Sequence, residues 1–177
     1  MKVDPSLLHR LFYPQVPAVL ASRYRGRVSA MPVVSYTAVS TTPPLVAVAC
    51  NPESYTCKLT LRSRTFSMSL LGRDGTSKLD KLATIHGGDL KDKLDSAGLA
   101  HRKGVRLNVP AIVGAWATLE CSLRSKQKLG DHLLLVGLVR AAYASDAFSD
   151  FWDFRRYKPI LYTGWKDGMT VFQGPYE

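Results

Sequence analysis

The chain has 177 residues, of which 46% are apolar types and 21% are charged, and its 24 Lys and Arg against 14 Asp and Glu give a formal charge of +10. That length suits one domain spanning 1–177. No apolar run reaches the roughly 18 residues that cross a bilayer, and Asp4, Pro5, His9 and Arg10 interrupt the stretch where a signal peptide would be apolar, so a cytoplasmic protein with no membrane partner is expected.

Asp4 and Pro5 open a short helix over Pro5–Phe12, Asp as N-cap and Pro at the first helical position, and Pro14 ends it. Val16–Tyr24 reads as a first strand, the glycine turn around Gly26 reverses it, and Arg27–Ser35 is its hairpin partner. Ser35–Thr42 is small and hydroxyl-rich, too polar for a core strand, and is expected to be a shaped loop ahead of the extended Pro43-Pro44. Leu45–Cys50 is a continuous apolar run of strand length, the pattern of a strand buried on both faces.

Asn51–Ser54 is a turn, from which Ser54 or Thr56 caps a helix running to about Arg62. Thr65–Leu71 alternates as a strand, and Gly72–Gly75 turns. Ser77–His86 is an amphipathic helix with Leu79, Leu82 and Ile85 on one face, stopped by Gly87-Gly88. Asp89–Ala97 is a second short helix ended by Gly98.

Pro110–Ser125 is expected as one long strand, Lys126–Asp131 as a turn, and His132–Tyr143 as a second long strand with a bulge or close contact at Gly137. Ala144–Arg156 is irregular or weakly helical. Ile160–Gly164 is a short strand, Asp167-Gly168 a turn, and Thr170–Phe172 the last extended piece. About seven strands arranged as hairpins predict a mainly β protein built as an antiparallel barrel, not a parallel α/β sheet.

The reactive residues are sparse. Cys50, Cys57 and Cys121 form no Cys-x-x-Cys pair and read as structural, with no redox task for Cys50. The four histidines lie far apart, so a metal centre has little support. No Gly-x-Gly-x-x-Gly follows a strand, and the run from Gly72 to Lys78 lacks phosphate-loop spacing. The basic residues are dispersed, as on a solvated surface, which argues against a nucleic-acid groove, and a basic nucleic-acid-binding barrel is kept only as a distant alternative.

What remains is a juxtaposition. Small residues Ser35, Thr37 and Ala38 let backbone donors and acceptors approach a ligand closely. Just downstream, a helix start rich in hydroxyls (Ser54, Tyr55, Thr56), with Lys58 or Arg62 nearby, suits a phosphate. Each piece also has a plain reading: Ser54 and Thr56 as caps, Lys58, Arg62 and Arg64 as solvated charges, and the Ser35 segment as an ordinary turn.

The stretches YPQVPAVLASRYRGRVSAMPVVSYTAVSTTPPLVAVACNPESYTCKL and LGDHLLLVGLVRAA, followed by PILYTGW, resemble in order and spacing the flavin reductase-like FMN-binding split-barrel family, which includes flavoredoxins and NAD(P)H:flavin oxidoreductases. The chain departs from the family's pattern at Pro32 and Tyr36. The resemblance implies a split β-barrel of Greek-key antiparallel strands and a homodimer with FMN in a groove near its interface. It implies that Val33, Val34, Ser35, Tyr36 and Thr37 line the isoalloxazine, with Ser40 close by. The segment Cys50 to Lys58, including Asn51, Ser54, Tyr55 and Thr56, would hold the ribityl phosphate.

His132 is then either a turn histidine or a contact on the nicotinamide side. The aromatic group Trp152, Tyr157, Tyr162 and Trp165 serves core or dimer packing, or closes the flavin pocket. The implied activity is hydride transfer from NAD(P)H to flavin, with FMN bound or with FAD or riboflavin as substrate, and no side chain acting as nucleophile. The alternative is a flavoredoxin-like carrier passing electrons to an acceptor protein.

Overall fold

A computed structural model describes residues 2–165 and 168–172. Asp167, half of one expected turn, lies outside them. The main sheet has seven antiparallel strands: β1 (Ala18–Tyr24), β2 (Arg27–Val33), β3 (Tyr36–Ser40), β4 (Leu45–Cys50), β5 (Thr65–Leu70), β8 (Ala117–Leu129) and β9 (His132–Ala144). Two small ladders join β6 (His101–Lys103) to β7 (Pro110–Ile112) and β10 (Ile160–Tyr162) to β11 (Met169–Val171). The helices are α1 (Tyr55–Ser63), α2 (Thr76–Thr84) and α3 (Lys93–Ser96), and Pro5–Phe12 forms a 3-10 helix capped by Asp4.

The strand order β2-β1-β5-β8-β9-β4-β3 fixes the shape. The edges β2 and β3 are consecutive in the chain, joined only by Val34 and Ser35. In a flat sheet they would lie six strand spacings apart, about 29 Å, whereas that link spans roughly 11 Å. The sheet must therefore curl until its edges meet, as a barrel left open along the seam between β2 and β3.

The interior of this barrel is packed by Leu20, Val33, Val48, Phe66, Met68, Cys121 and Leu135. Gly137 is glycine because a Cβ there would collide with the Phe66 ring, so it serves close packing. A second core lies outside β1 and β2, where Val19, Ala21, Val28 and Ala30 meet Leu79 and Leu82 of α2 and Leu94 of α3. The β1–β2 hairpin is thus buried on both faces.

Four expectations are corrected. Ser35–Thr42 is not an irregular loop: Tyr36–Ser40 is a strand on β4, its centre exposed because β3 is a sheet edge. The barrel count of seven stands, but β3 takes the place expected for the strand at Ile160. Pro110–Ser125 is broken at Gly114, whose φ of +77 makes a turn between β7 and β8. Lys126–Leu129 continues β8, so the hairpin turn is only Gly130–Asp131, while Gly88 and Asp89 form a turn, Asp92 bridges to Val28, and the helix begins only at Lys93.

Candidate functional site

Helix α1 lies across the inward face of the β1–β2 hairpin, plugging one end of the barrel. Two hydroxyl pairs pin it, Ser22 Oγ to Ser63 Oγ at its C-terminal end and Ser29 Oγ to Thr56 Oγ1 at its N-terminal end, both 2.9 Å. Ser54 is the N-cap, its Oγ accepting from the Cys57 N–H at 3.1 Å. The remaining first-turn N–H groups have no intrahelical partner and carry the positive end of the helix dipole.

Beside this N-terminus is a cleft of about 420 Å³ walled by Ser29 and Met31 of β2, Glu53 and Ser54 of the preceding turn, Tyr55, Thr56 and Lys58 of α1, the segment 83–88, and Lys93. Its volume is in the range of small-ligand sites. Arg27 holds the far wall: Nη2 donates to the carbonyls of Gly88 and, at 3.1 Å, Leu90, while the guanidinium lies over the Tyr55 ring. Gly87 is packed so closely that a Cβ would sit 2.6 Å from Ser29 Oγ and 3.3 Å from Lys93 Cδ. Any side chain there would fill the cleft.

The unusual member is Lys93. It is 7% exposed, and among the described residues no hydrogen bond or ion pair engages its ammonium. Burial lowers its pKa from the ordinary lysine value. Lysines are almost never buried without a partner. Lys58, by contrast, pairs with Glu53 at 2.9 Å on the exposed rim. A buried, unpaired cation beside a helix N-terminus in a walled cleft fits a bound anion, and a phosphate group matches both donors.

The structure brings Ser54, Tyr55, Thr56 and Lys58 together in this cleft. Thr56 is buried with its hydroxyl engaged by Ser29. Asn51 shapes the turn, its Oδ1 accepting from the Glu53 N–H at 2.8 Å. Cys50 lies behind the cleft, buried against Cys57.

The other expected residues lie along the seam. Val33 is in the barrel interior on the same face of β2 as Ser29 and Met31, so a path of about 13 Å leads from the α1 N-terminus to the β2–β3 junction. Ser35 borders a separate cleft of about 380 Å³ with Leu8, His9, Phe12, Tyr13 and Gln15. Its carbonyl accepts from the Ala49 N–H at 2.8 Å. Val34 is half-buried, Tyr36 donates its hydroxyl to the Val16 carbonyl at 2.9 Å, and Thr37 and Ser40 lie on the edge strand β3.

His132 is exposed and bonded to Asp131 at 2.8 Å. The pairing of Cys50 with Leu133 places it at the barrel end where the Asn51 turn begins. Of the C-terminal aromatics, Tyr157 packs on Trp152 and on Trp116 and Tyr162 packs on Tyr13, whereas Trp165 is 78% exposed.

Sequence reading did not find Lys93, Ser29 or the 83–88 wall. The one local signal for Lys93 was its place beside Leu94 and Ala97, which proved to be core. A larger cleft of about 740 Å³ over Trp116 is lined by Arg73, Arg156 and Lys158 together with Asp74 and Asp80, and Arg156 is already paired with Asp146 at 2.6 Å.

Residues 8–161 match the flavin reductase like domain, and the chain belongs to that family. It is 32% identical to a flavin reductase of Pseudomonas putida over 141 residues, covering 78% of this chain and 79% of that one. It is 35% identical over 164 residues to an uncharacterized protein of Aeropyrum pernix, covering 92% of this chain and spanning 62% of that protein's length. Among solved structures, an FMN-binding protein from Thermus thermophilus superposes with a TM-score of 0.80 at 30% identity, over 97% of this chain and 92% of that one. The open antiparallel barrel is the split barrel of these relatives.

Proposed function

We propose that the protein is an FMN-binding flavin reductase that draws a hydride from NAD(P)H. The observation that carries this reading is the buried, unpaired Lys93 beside the α1 N-terminus, a receptor for phosphate in a family of flavin proteins. The first turn of α1, with Ser54, Lys58 and Lys93, would hold the FMN phosphate. Met31 and Val33 on the inward face of β2 would give the apolar wall leading to the Val33–Thr37 segment, where the ring would lie. When bound, the isoalloxazine supplies the hydride acceptor. The chain contributes binding, orientation and a positive field that draws an anionic dinucleotide.

A homodimer is part of this proposal. Leu8, Leu11 and Phe12 of the N-terminal 3-10 helix are 56%, 61% and 67% exposed, an apolar surface that a second copy would cover. No helix among the described residues is long and apolar enough to cross a membrane, and we place the protein in the cytoplasm.

The test is to load the purified protein with FMN, exclude air, add NADH or NADPH, and follow the flavin's visible absorbance. Prompt bleaching is expected. Bound flavin that stays oxidised would assign the protein to the electron carriers, and failure to bind FMN would overturn the reading altogether.

A further inference from the structure

Cys50 ends β4 and Cys57 lies in the first turn of α1, so the two bracket the segment 51–56 that forms one wall of the anion cleft. Their sulfurs are 3.1 Å apart, both are free, and the Cys50 thiol donates to Cys57 Sγ. We propose that Cys50 and Cys57 form a reversible dithiol–disulfide pair that staples this loop and weakens the cleft's hold on its anion when oxidised. The regulatory part rests on the flavin reading above; the bond itself does not.

The polarity of the pair sets the roles. Donation from Cys50 lowers the Cys57 pKa, burial opposes this, and Lys126 and Lys58 add to the lowering. The same contact raises that of Cys50. Cys57 is therefore the attacking thiolate and Cys50 the resolving thiol. The oxidant is hydrogen peroxide, which reduced flavin yields with dioxygen. Cys57 sulfur attacks one peroxide oxygen: the S–O bond forms, the O–O bond breaks, and hydroxide leaves to become water. Sulfur is oxidised by two electrons and peroxide reduced. Cys50 then attacks Cys57 sulfur, the S–S bond forms, the S–O bond breaks, and the second hydroxide leaves with the Cys50 proton. Two thiols and one peroxide give one disulfide and two waters. An external dithiol reverses the bond by exchange.

Both sulfurs are buried, but the turn above them carries exposed Asn51 and Glu53, so only a short polar turn separates them from a reagent as small as peroxide. Closing the bond draws the sulfurs about 1 Å nearer. Thr56, next to Cys57, is tied to Ser29 of β2, so the contraction pulls the first turn of α1 away from the strand that completes the cleft. Sequence reading gave Cys50 no redox task because nothing in the spacing of Cys50 and Cys57 announces contact.

The experiment uses the full chain, reduced and then treated with one equivalent of peroxide. Both cysteines fall in the tryptic peptide Val28–Lys58, so the bond appears as the loss of two hydrogens from that peptide and of its alkylation. Cys121, whose thiol burial pushes up to about 12, stays alkylatable. FMN is then titrated into both forms, and the oxidised form is expected to bind at least about fivefold more weakly. Peptide Val28–Lys58 remaining fully alkylatable, or bonding of either cysteine to Cys121, would overturn the pair. A mapped disulfide with equal FMN affinity would overturn the regulation. A reduced form that binds no FMN would overturn the flavin reading and the regulation that rests on it, while leaving the mapped bond standing. Cys50→Ser, in which the bond between Cys50 and Cys57 cannot close, should abolish the affinity difference.

Discussion

At the scale of single residues, the weight falls on Lys93. A protonated ammonium in the wall of a half-open cleft, its stem buried and no protein group paired with it, is less well solvated than in the unfolded chain, and an anion arriving there restores a partner. Lys93→Met should therefore do two opposite things. It should stabilise the flavin-free protein by roughly 1 kcal/mol for a well-packed apolar replacement, seen as a higher melting temperature. It should weaken FMN binding about tenfold to a hundredfold, the contribution of a charge-assisted contact. The pH dependence follows the same sign. Burial lowers the folded-state pKa below the unfolded value near 10.5, so the unfolded chain binds the proton more tightly. Stability of the empty protein should rise as pH climbs through the window below 10.5, and FMN affinity should fall over that window. Both trends should vanish in Lys93→Met, as measured by thermal melts and fluorescence titration.

Away from the cleft, the loop between β6 and β7 is held by a single carboxylate. Glu120 of β8 is fully buried and accepts from the N–H groups of Val105, Arg106 and Leu107 at 2.5, 2.9 and 2.7 Å, with Gly104 pressed against it. Burial alone would raise its pKa, but the backbone donors outweigh that and leave it lowered. The stability it supplies is present above the ordinary glutamate pKa and is lost as pH falls through the lowered one. Glu120→Gln should cost about 3 kcal/mol in denaturant melts near neutral pH and flatten the acid limb.

The elements also mark how far local pattern reaches. β4 was legible because Leu45–Cys50 is apolar throughout, and α1 because Ser54 is a capping residue ahead of a helical stretch. β3 was not, because an edge strand exposes its hydroxyls and so looks like a loop. β6 was missed because a three-residue strand carries too few alternations to register, and β7 was merged with β8 because its few residues run into the same alternating stretch. Lys93 was invisible because its place in the cleft depends on Ser29 of β2, a residue far from it in sequence whose approach only the fold creates.

For the whole molecule, the decisive geometry is the mismatch between a seven-strand sheet and a two-residue link between its edges. The curl this forces leaves a seam along β2, and α1 closes one end of the barrel with its positive terminus turned to that seam. Strand count and antiparallel pairing were readable from the alternating runs. The seam was not, because it depends on which strands become edges, and that is a property of the full pairing order.

The measurement that bears most directly on this account is a comparison of FMN with riboflavin, which differ only by the phosphate, in fluorescence titrations of the reduced protein. A receptor built from the α1 N-terminus and Lys93 predicts that FMN binds at least about tenfold more tightly, and that Lys93→Met removes most of the difference. Equal affinity for the two flavins would contradict the phosphate site on which the account is built.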